Sequence, residues 1–427
     1  MKKYAIINGN IITGKADGEI VVGKSIVVED GTIVDITSDE KVLEGLKKID
    51  VKGKFIIPGL INLHVHLPGS GMPKDTKKQN KKTVDFLMRH RLTKYIVYKL
   101  CAAYAKTELM SGVTTIRTVG GVSDIDSVIR DKSAAGKILA PRVIASNMAI
   151  SVPGGHMVGI LAYEATSPED GRKFVRTIAK TRPDLIKLMI TGGILDAKKE
   201  GEPGILRMSP DIVDACVEEA HGLGYKVAAH VESSEGVTVA LRGGVDTIEH
   251  GGKIGEEEIE LFKKNGSAHV LTISPVIPMA FFDPSKSGGT ELQRINSKVV
   301  FDGMIQCAKT CLDNGIPVGL GTDTACPYVT QYDTWREAVY FKKFLGASNA
   351  QALRAITLGN AEIAGISSVT GSIEVGKCAD MVVLSGNPLE NLTSLRRPDN
   401  VIARGRVINN PKIKKFDYVE EELDKYI

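Results

Sequence analysis

Apolar and polar positions change rhythm twice along the chain. Residues 4–7, 25–29, 32–36 and 55–57 form short alternating segments, cut by Asn8-Gly9-Asn10 and Asp30-Gly31. Alternation of period two between turn residues predicts the short strands of a small β-domain. The same rhythm returns after residue 370, in 371–384 and 401–408. Chain ends commonly lie close together, so residues 1–56 plus 367–427 are expected to pair into one β-sandwich.

Between these ends, strand-like and helix-like patterns take turns. Segments at 60–66, 114–119, 142–146, 185–190, 226–231, 247–251, 268–274 and 318–323 read as strands. Helical spacing fills 94–111, 123–135, 167–181, 210–223, 234–242, 255–265 and 301–314, with a further helical region after the last strand. Eight strand-then-helix units within residues 57–366 predict the α/β class and a (β/α)8 TIM barrel. A doubly wound open sheet is the other arrangement of such units. No Gly-x-Gly-x-x-Gly follows the first strand to support its dinucleotide form.

Composition narrows the functional classes. Of 427 residues, 43% are hydrophobic and 25% charged, as in globular proteins. A net charge of +4, from 55 basic and 51 acidic residues, is too balanced for a nucleic-acid partner. No apolar run approaches the ~20 residues of a membrane span. Met1-Lys2-Lys3 resembles the start of a signal peptide, but the apolar stretch behind it breaks at Asn8-Gly9-Asn10, so a cytoplasmic location is expected. Six Cys without a Cys-x-x-Cys pair read as reduced thiols. Cys307 and Cys311 lie one helical turn apart but have no third ligand beside them in the sequence. Cys326 follows a candidate active-site Asp by three residues. The loop 68–83 carries Lys74, Lys77, Lys78, Lys81 and Lys82 against Asp75, which suits either a solvated loop or a lid that attracts an anionic substrate.

Candidate chemistry gathers at the strand ends. Residues two apart on a strand face the same way, so His64 and His66 can approach one metal ion together. Lys187 lies inside the fourth strand, His230 ends the fifth, His250 the sixth and Asp323 the eighth. In a (β/α)8 barrel these C-terminal ends share one mouth, where active sites lie. A Lys held inside a strand beside a dication has its charged form disfavoured, so its pKa falls. The neutral amine can then take up carbon dioxide as a carbamate, an oxygen ligand able to bridge two metals. The plainer reading is a Lys at the strand's rim reaching water.

The ordered set resembles the amidohydrolase superfamily: Pro-Gly-Leu-Ile-Asn-Leu-His-Val-His ending at His66, then Lys187, His230, His250 and Asp323. The likeness spans nearly the whole chain, including the returning strands at 371–384. Within the superfamily it is similar to the binuclear, carboxylated-lysine branch of Xaa-Pro and Xaa-Arg dipeptidases, near the imidazolonepropionase-related hydrolases. The resemblance implies that His64, His66 and Asp323 hold one divalent ion and His230 and His250 a second. N6-carboxylysine at Lys187 would bridge them. Zinc fits these ligands. It further implies a metal-bridging hydroxide as nucleophile, with Asp323 accepting its proton. His156, in a loop similar to that branch's loop after strand three, would contact the substrate carbonyl oxygen.

The chain departs from that pattern after the fifth strand. Xaa-Pro dipeptidase-like members carry a Tyr directly after the strand-five His to hold a carboxylate, whereas here Val231 and Glu232 follow. Both are expected near substrate. Glu232 either faces a cationic group or caps the next helix. The expected function is hydrolysis of an amide or peptide C–N bond, by a dipeptidase or an N-acyl amino acid amidohydrolase acting on a small molecule. A cyclic amidine deaminase or imidazolone-ring hydrolase is the alternative enzyme, against which the bridging Lys counts. A non-catalytic assembly protein is a third class, against which the complete ligand set counts. A homo-oligomer is expected.

Overall fold

A computed structural model describes residues 3–15, 18–73, 81–202 and 204–427. Strands Lys3–Ile7, Ser25–Glu29, Thr32–Thr37 and Lys47–Asp50 form a four-stranded sheet in the order 32–37, 25–29, 3–7, 47–50. A six-stranded sheet joins both chain ends: 406–409, 400–403, 381–384, 55–58, 10–12, 20–21. In it Phe55–Pro58 runs antiparallel to Met381–Leu384, with Ile57 opposite Val382. Period-two alternation buries this sheet on both faces. Ile56, Met381 and Val383 meet Tyr4, Ile6 and Val28 of the first sheet, while Ile57, Val382 and Leu384 enter the large core of the central region.

The central strands are parallel. One group runs 142–144, 113–118, 60–65; the other runs 162–164, 149–151, 185–189, 226–231, 247–250, 268–271, 318–320. The expected third strand is thus split. Arg142–Ile144 pairs with the second strand, and Ala149–Ser151 pairs with Leu185–Met189. Asn147 makes the break, with φ +60° and a buried side chain bonded to Ser127 and Thr181. A residue in that left-handed conformation cannot continue a strand.

The last and first strands lie side by side without a regular ladder. Asp323 N–H donates to the His64 carbonyl at 2.9 Å, and Asn360 Nδ2 bridges the carbonyls of Ile61 and Leu320. Helices follow the expected order. The long one, Glu291–Asp313, starts earlier than its apolar rhythm because Thr290 and Gln293 form a capping box in a polar stretch. Lys81 and Lys82 of the basic segment belong to helix Lys81–Arg89; Lys74, Lys77 and Lys78 lie outside the described residues. The C-terminal helix Asp417–Leu423 leaves the two terminal sheets. Its Val419 and Leu423 join the large core, where Arg336 pairs with Glu420 and Asp424. Among the described residues no helix is long and apolar enough to cross a membrane.

Candidate metal centre

The first strand is pinned before its histidines begin. Buried Asn62 donates to Thr322 and Thr334 and accepts from the backbone N–H of His64 and Thr322. His64 and His66 then point the same way, while Val65 between them enters the large core. Both Nε2 atoms face one oxygen, Asp323 Oδ1, at 3.4 and 3.1 Å.

Their opposite nitrogens fix what those Nε2 atoms can do. His66 Nδ1 is 2.7 Å from the Gly120 carbonyl, which only accepts, so Nδ1 carries the proton. His64 Nδ1 is 2.8 Å from Glu249 Oε2. Burial opposes ionisation of Glu249, yet Arg117 holds its carboxyl well below the usual range and grips both oxygens at 2.7 and 2.9 Å. An ionised Glu249 accepts from His64 as well. In their neutral form both imidazoles therefore turn a bare Nε2 to the same Asp323 carboxylate oxygen. Acceptors gathered in this way repel one another unless a cation sits among them.

The remaining predicted ligands complete the ring. His250 lies 4.8 Å from His64, centroid to centroid, and 4.7 Å from His230, which stacks on His156 at 4.4 Å. His250 Nδ1 meets Thr272 Oγ1 at 2.7 Å. Burial lowers the His64 pKa to about 4 and holds His230 and His250 well below the ordinary value, so these imidazoles are neutral and fit to ligate. One ligand atom each of His64, His250 and Asp323 fall within 4.8 Å of one another.

Lys187 does not reach water. It is fully buried, and its Nζ has no hydrogen-bond partner. Burial brings its pKa down to about 8 and Arg117 adds to the fall, against the pull of Glu249 and Asp323. An orphaned amine in this pocket fits a lysine whose nitrogen carries a further ligating group.

His156 and Glu232 stand at the edge of the centre, and Val231 does not. His156 Nδ1 lies 2.7 Å from Asp196 Oδ2, a partner the sequence did not suggest. Val231 corrects the expectation of a substrate contact: alternation with His230 turns it into the hydrophobic core. Glu232 does not cap the following helix, because Ser233 Oγ takes the Gly236 N–H. Instead Glu232 Oε2 is shielded and unpartnered, and burial, with Asp323 and Asp196 near, raises its carboxyl to about 8. Cys326 Sγ approaches Asp323 Oδ2 at 3.6 Å. Sequence reasoning missed Glu249 and Arg117; the signal available was an acid and a base inside two strands expected to be buried in the barrel.

Backbone strain marks the same place. Non-glycine residues adopt positive φ at His250 (+68°), Asp323 (+55°), Ala325 (+82°) and Tyr328 (+67°). Such outliers cluster where surrounding structure holds functional groups in position.

Residues 55–408 match the family model described as Amidohydrolase family. The chain belongs to the amidohydrolase family. A Bifidobacterium longum protein proposed to be a prolidase is 36% identical in sequence, with a TM-score of 0.87, covering 99% of this chain and 98% of that one. A Xaa-Pro dipeptidase solved with methionine in its active site is 28% identical, with a TM-score of 0.81 and coverage of 96% and 100%. The ochratoxinase of Aspergillus niger is 24% identical over 96% of this chain and 88% of its own. This amidohydrolase is accordingly an enzyme that hydrolyses carbon–nitrogen bonds. Amidohydrolases are generally metal-dependent, and the His and Asp cluster is its candidate metal site.

Proposed function

We propose that this amidohydrolase is a metal-dependent dipeptidase or N-acyl amino acid amidohydrolase. Its centre lies at the mouth of a (β/α)8 barrel of residues 57–366. Residues 1–56 and 367–427 make the flanking β-sandwich, apart from the C-terminal helix, which packs on the barrel. In this reading His64, His66 and Asp323 would hold one ion and His230 and His250 another, with a carbamate on Lys187 as a further ligand. The observation that carries it is the meeting of bare His64 and His66 nitrogens with ionised Asp323, beside the orphaned amine of Lys187. Imidazole and carboxylate donors suit zinc. When bound, divalent ions polarise a scissile carbonyl and lower the pKa of a water.

The chain's own residues do the rest. Asp323 takes the attacking water's proton and returns it to the leaving nitrogen. His156, steadied through Nδ1 by ionised Asp196, is placed to stabilise the carbonyl oxygen as charge develops there. Glu232 offers its unpartnered carboxyl to the substrate, and a cationic amine there would draw it into its ionised form.

Zinc-loaded protein assayed against dipeptides, N-acyl amino acids, cyclic ureides and amidines tests the reading. Turnover of either of the first two classes is expected. Turnover confined to ureides or amidines rejects it.

A further inference from the structure

A second cluster of ligating side chains lies behind His250. His269 belongs to strand Ala268–Leu271, and Cys307 and Cys311 stand one turn apart on helix Glu291–Asp313. All three are completely buried. One ring nitrogen of His269 and the two sulfurs lie within 4.8 Å of one another. The ring is already oriented, because Nε2 is 2.7 Å from the His250 carbonyl oxygen and must donate to it. That leaves Nδ1 as a bare acceptor, and it is buried without a partner. A buried acceptor left unmet is destabilising. Neither thiol relieves it with a hydrogen bond.

The donor set points to a class of ion. An imidazole with two sulfurs is soft and selects zinc or monovalent copper over magnesium or calcium. Charge separates those two. In a dry core, two thiolates neutralise a divalent ion, whereas a monovalent one leaves a net buried charge. Ligand bonds of 2.0–2.3 Å set donor atoms ~3.6–4.0 Å apart, so the cluster needs to tighten by about 1 Å at most. We propose that His269, Cys307 and Cys311 form a structural site for a thiophilic divalent ion of the zinc class, separate from the hydrolytic centre.

Its position gives it a task. A Cβ on Gly251 would fall 2.8 Å from His269 Nε2 and 3.2 Å from Cys307 Sγ, so the turn after His250 rests directly on the cluster. Gly251 has φ +98°, and the strained His250 precedes it. An ion held there braces the His250 carbonyl and its turn from behind, keeping the imidazole aimed at the hydrolytic centre.

Full-length protein stripped of metal and loaded with cobalt(II) provides the test. Thiolate-to-cobalt charge transfer in the near ultraviolet reports cysteine ligation, which imidazole and carboxylate donors do not give. The band is expected in wild type and in Cys326→Ala, which controls for the thiol beside Asp323. It should vanish in Cys307→Ala/Cys311→Ala, which should also bind one zinc equivalent fewer. Zinc-edge X-ray absorption of wild type, which needs no variant to fold, should show sulfur at ~2.3 Å. A wild type without the charge-transfer band, a band that survives the double variant, or a zinc edge free of sulfur overturns the proposal.

Discussion

At the scale of single residues, the centre works by leaving particular atoms without partners. Lys187 is the extreme case, a buried amine among charged neighbours with nothing to donate to. If it carries a carbamate, Lys187→Ala should lose bound metal and hydrolysis together, and a short carboxylic acid in solution should restore part of both. Lys187→Arg should restore neither, since guanidinium stays charged and does not carboxylate. Metal content and turnover measured on the same preparations decide this; Lys187→Ala with full metal and activity removes the role. A second residue-scale expectation concerns the pair His156 and Asp196. If His156 stabilises developing charge, His156→Asn lowers kcat by roughly 10²–10³, and Asp196→Asn shifts kcat in the same direction. A change in KM alone would reassign the pair to ground-state binding.

At the scale of elements, the boundary after the fifth strand separates a structural serine from a functional glutamate. Ser233 caps helix Ser234–Arg242, and Glu232 beside it does not. Ser233→Ala should therefore cost about 0.5–2 kcal/mol of stability, with kcat little changed. Glu232→Gln should do the reverse, sparing the melting temperature and changing the ranking of substrates with and without an amine. Parallel melting curves and kcat/KM values check the split. Elements also show what the sequence could convey. Alternation located the strands to within a few residues, because a buried strand must alternate or be apolar throughout. The third strand broke where Asn147 turned left-handed, a backbone event with no apolar signature. His64, His66, His230, His250 and Asp323 were legible as candidates because ligating residue types stood out at strand ends, and Lys187 because a charged residue stood inside an apolar strand. Glu249 was not, since a carboxylate before a histidine looks like any polar pair until Arg117 arrives from a distant strand. The Cys307 and Cys311 pair likewise lacked its third member until folding brought in His269.

At the scale of the molecule, an ion cluster ties the C-terminus to the central region. Glu420 accepts from Arg336 and Arg396 and pairs with Lys415. Burial works against its charge, but these cations hold its pKa at about 2, from the usual 4.5. A carboxyl depressed on folding stabilises the protein above its unfolded pKa and loses that contribution as pH falls through the folded one. Stability from this cluster should therefore drop between about pH 4.5 and 2, by up to about 3 kcal/mol. Glu420→Gln should be less stable at pH 7 and melt with a shallower dependence on pH across that window. Identical slopes for the two proteins would exclude the cluster as an acid-labile tie.

The six-stranded sheet has a mechanical meaning. Ile56 belongs to one core and Ile57 to the other, and the same chain passes through Pro58 and Gly59 into the strand that bears His64 and His66. Gly59 donates its N–H to Asp380, and any side chain on it would collide with Thr114. The strand that carries His64 and His66 is thus rooted in a sheet shared by both cores. Two cores clamp that sheet from opposite sides and Gly59 has no space beside it, so His64 and His66 inherit a fixed bearing from the far end of their own strand.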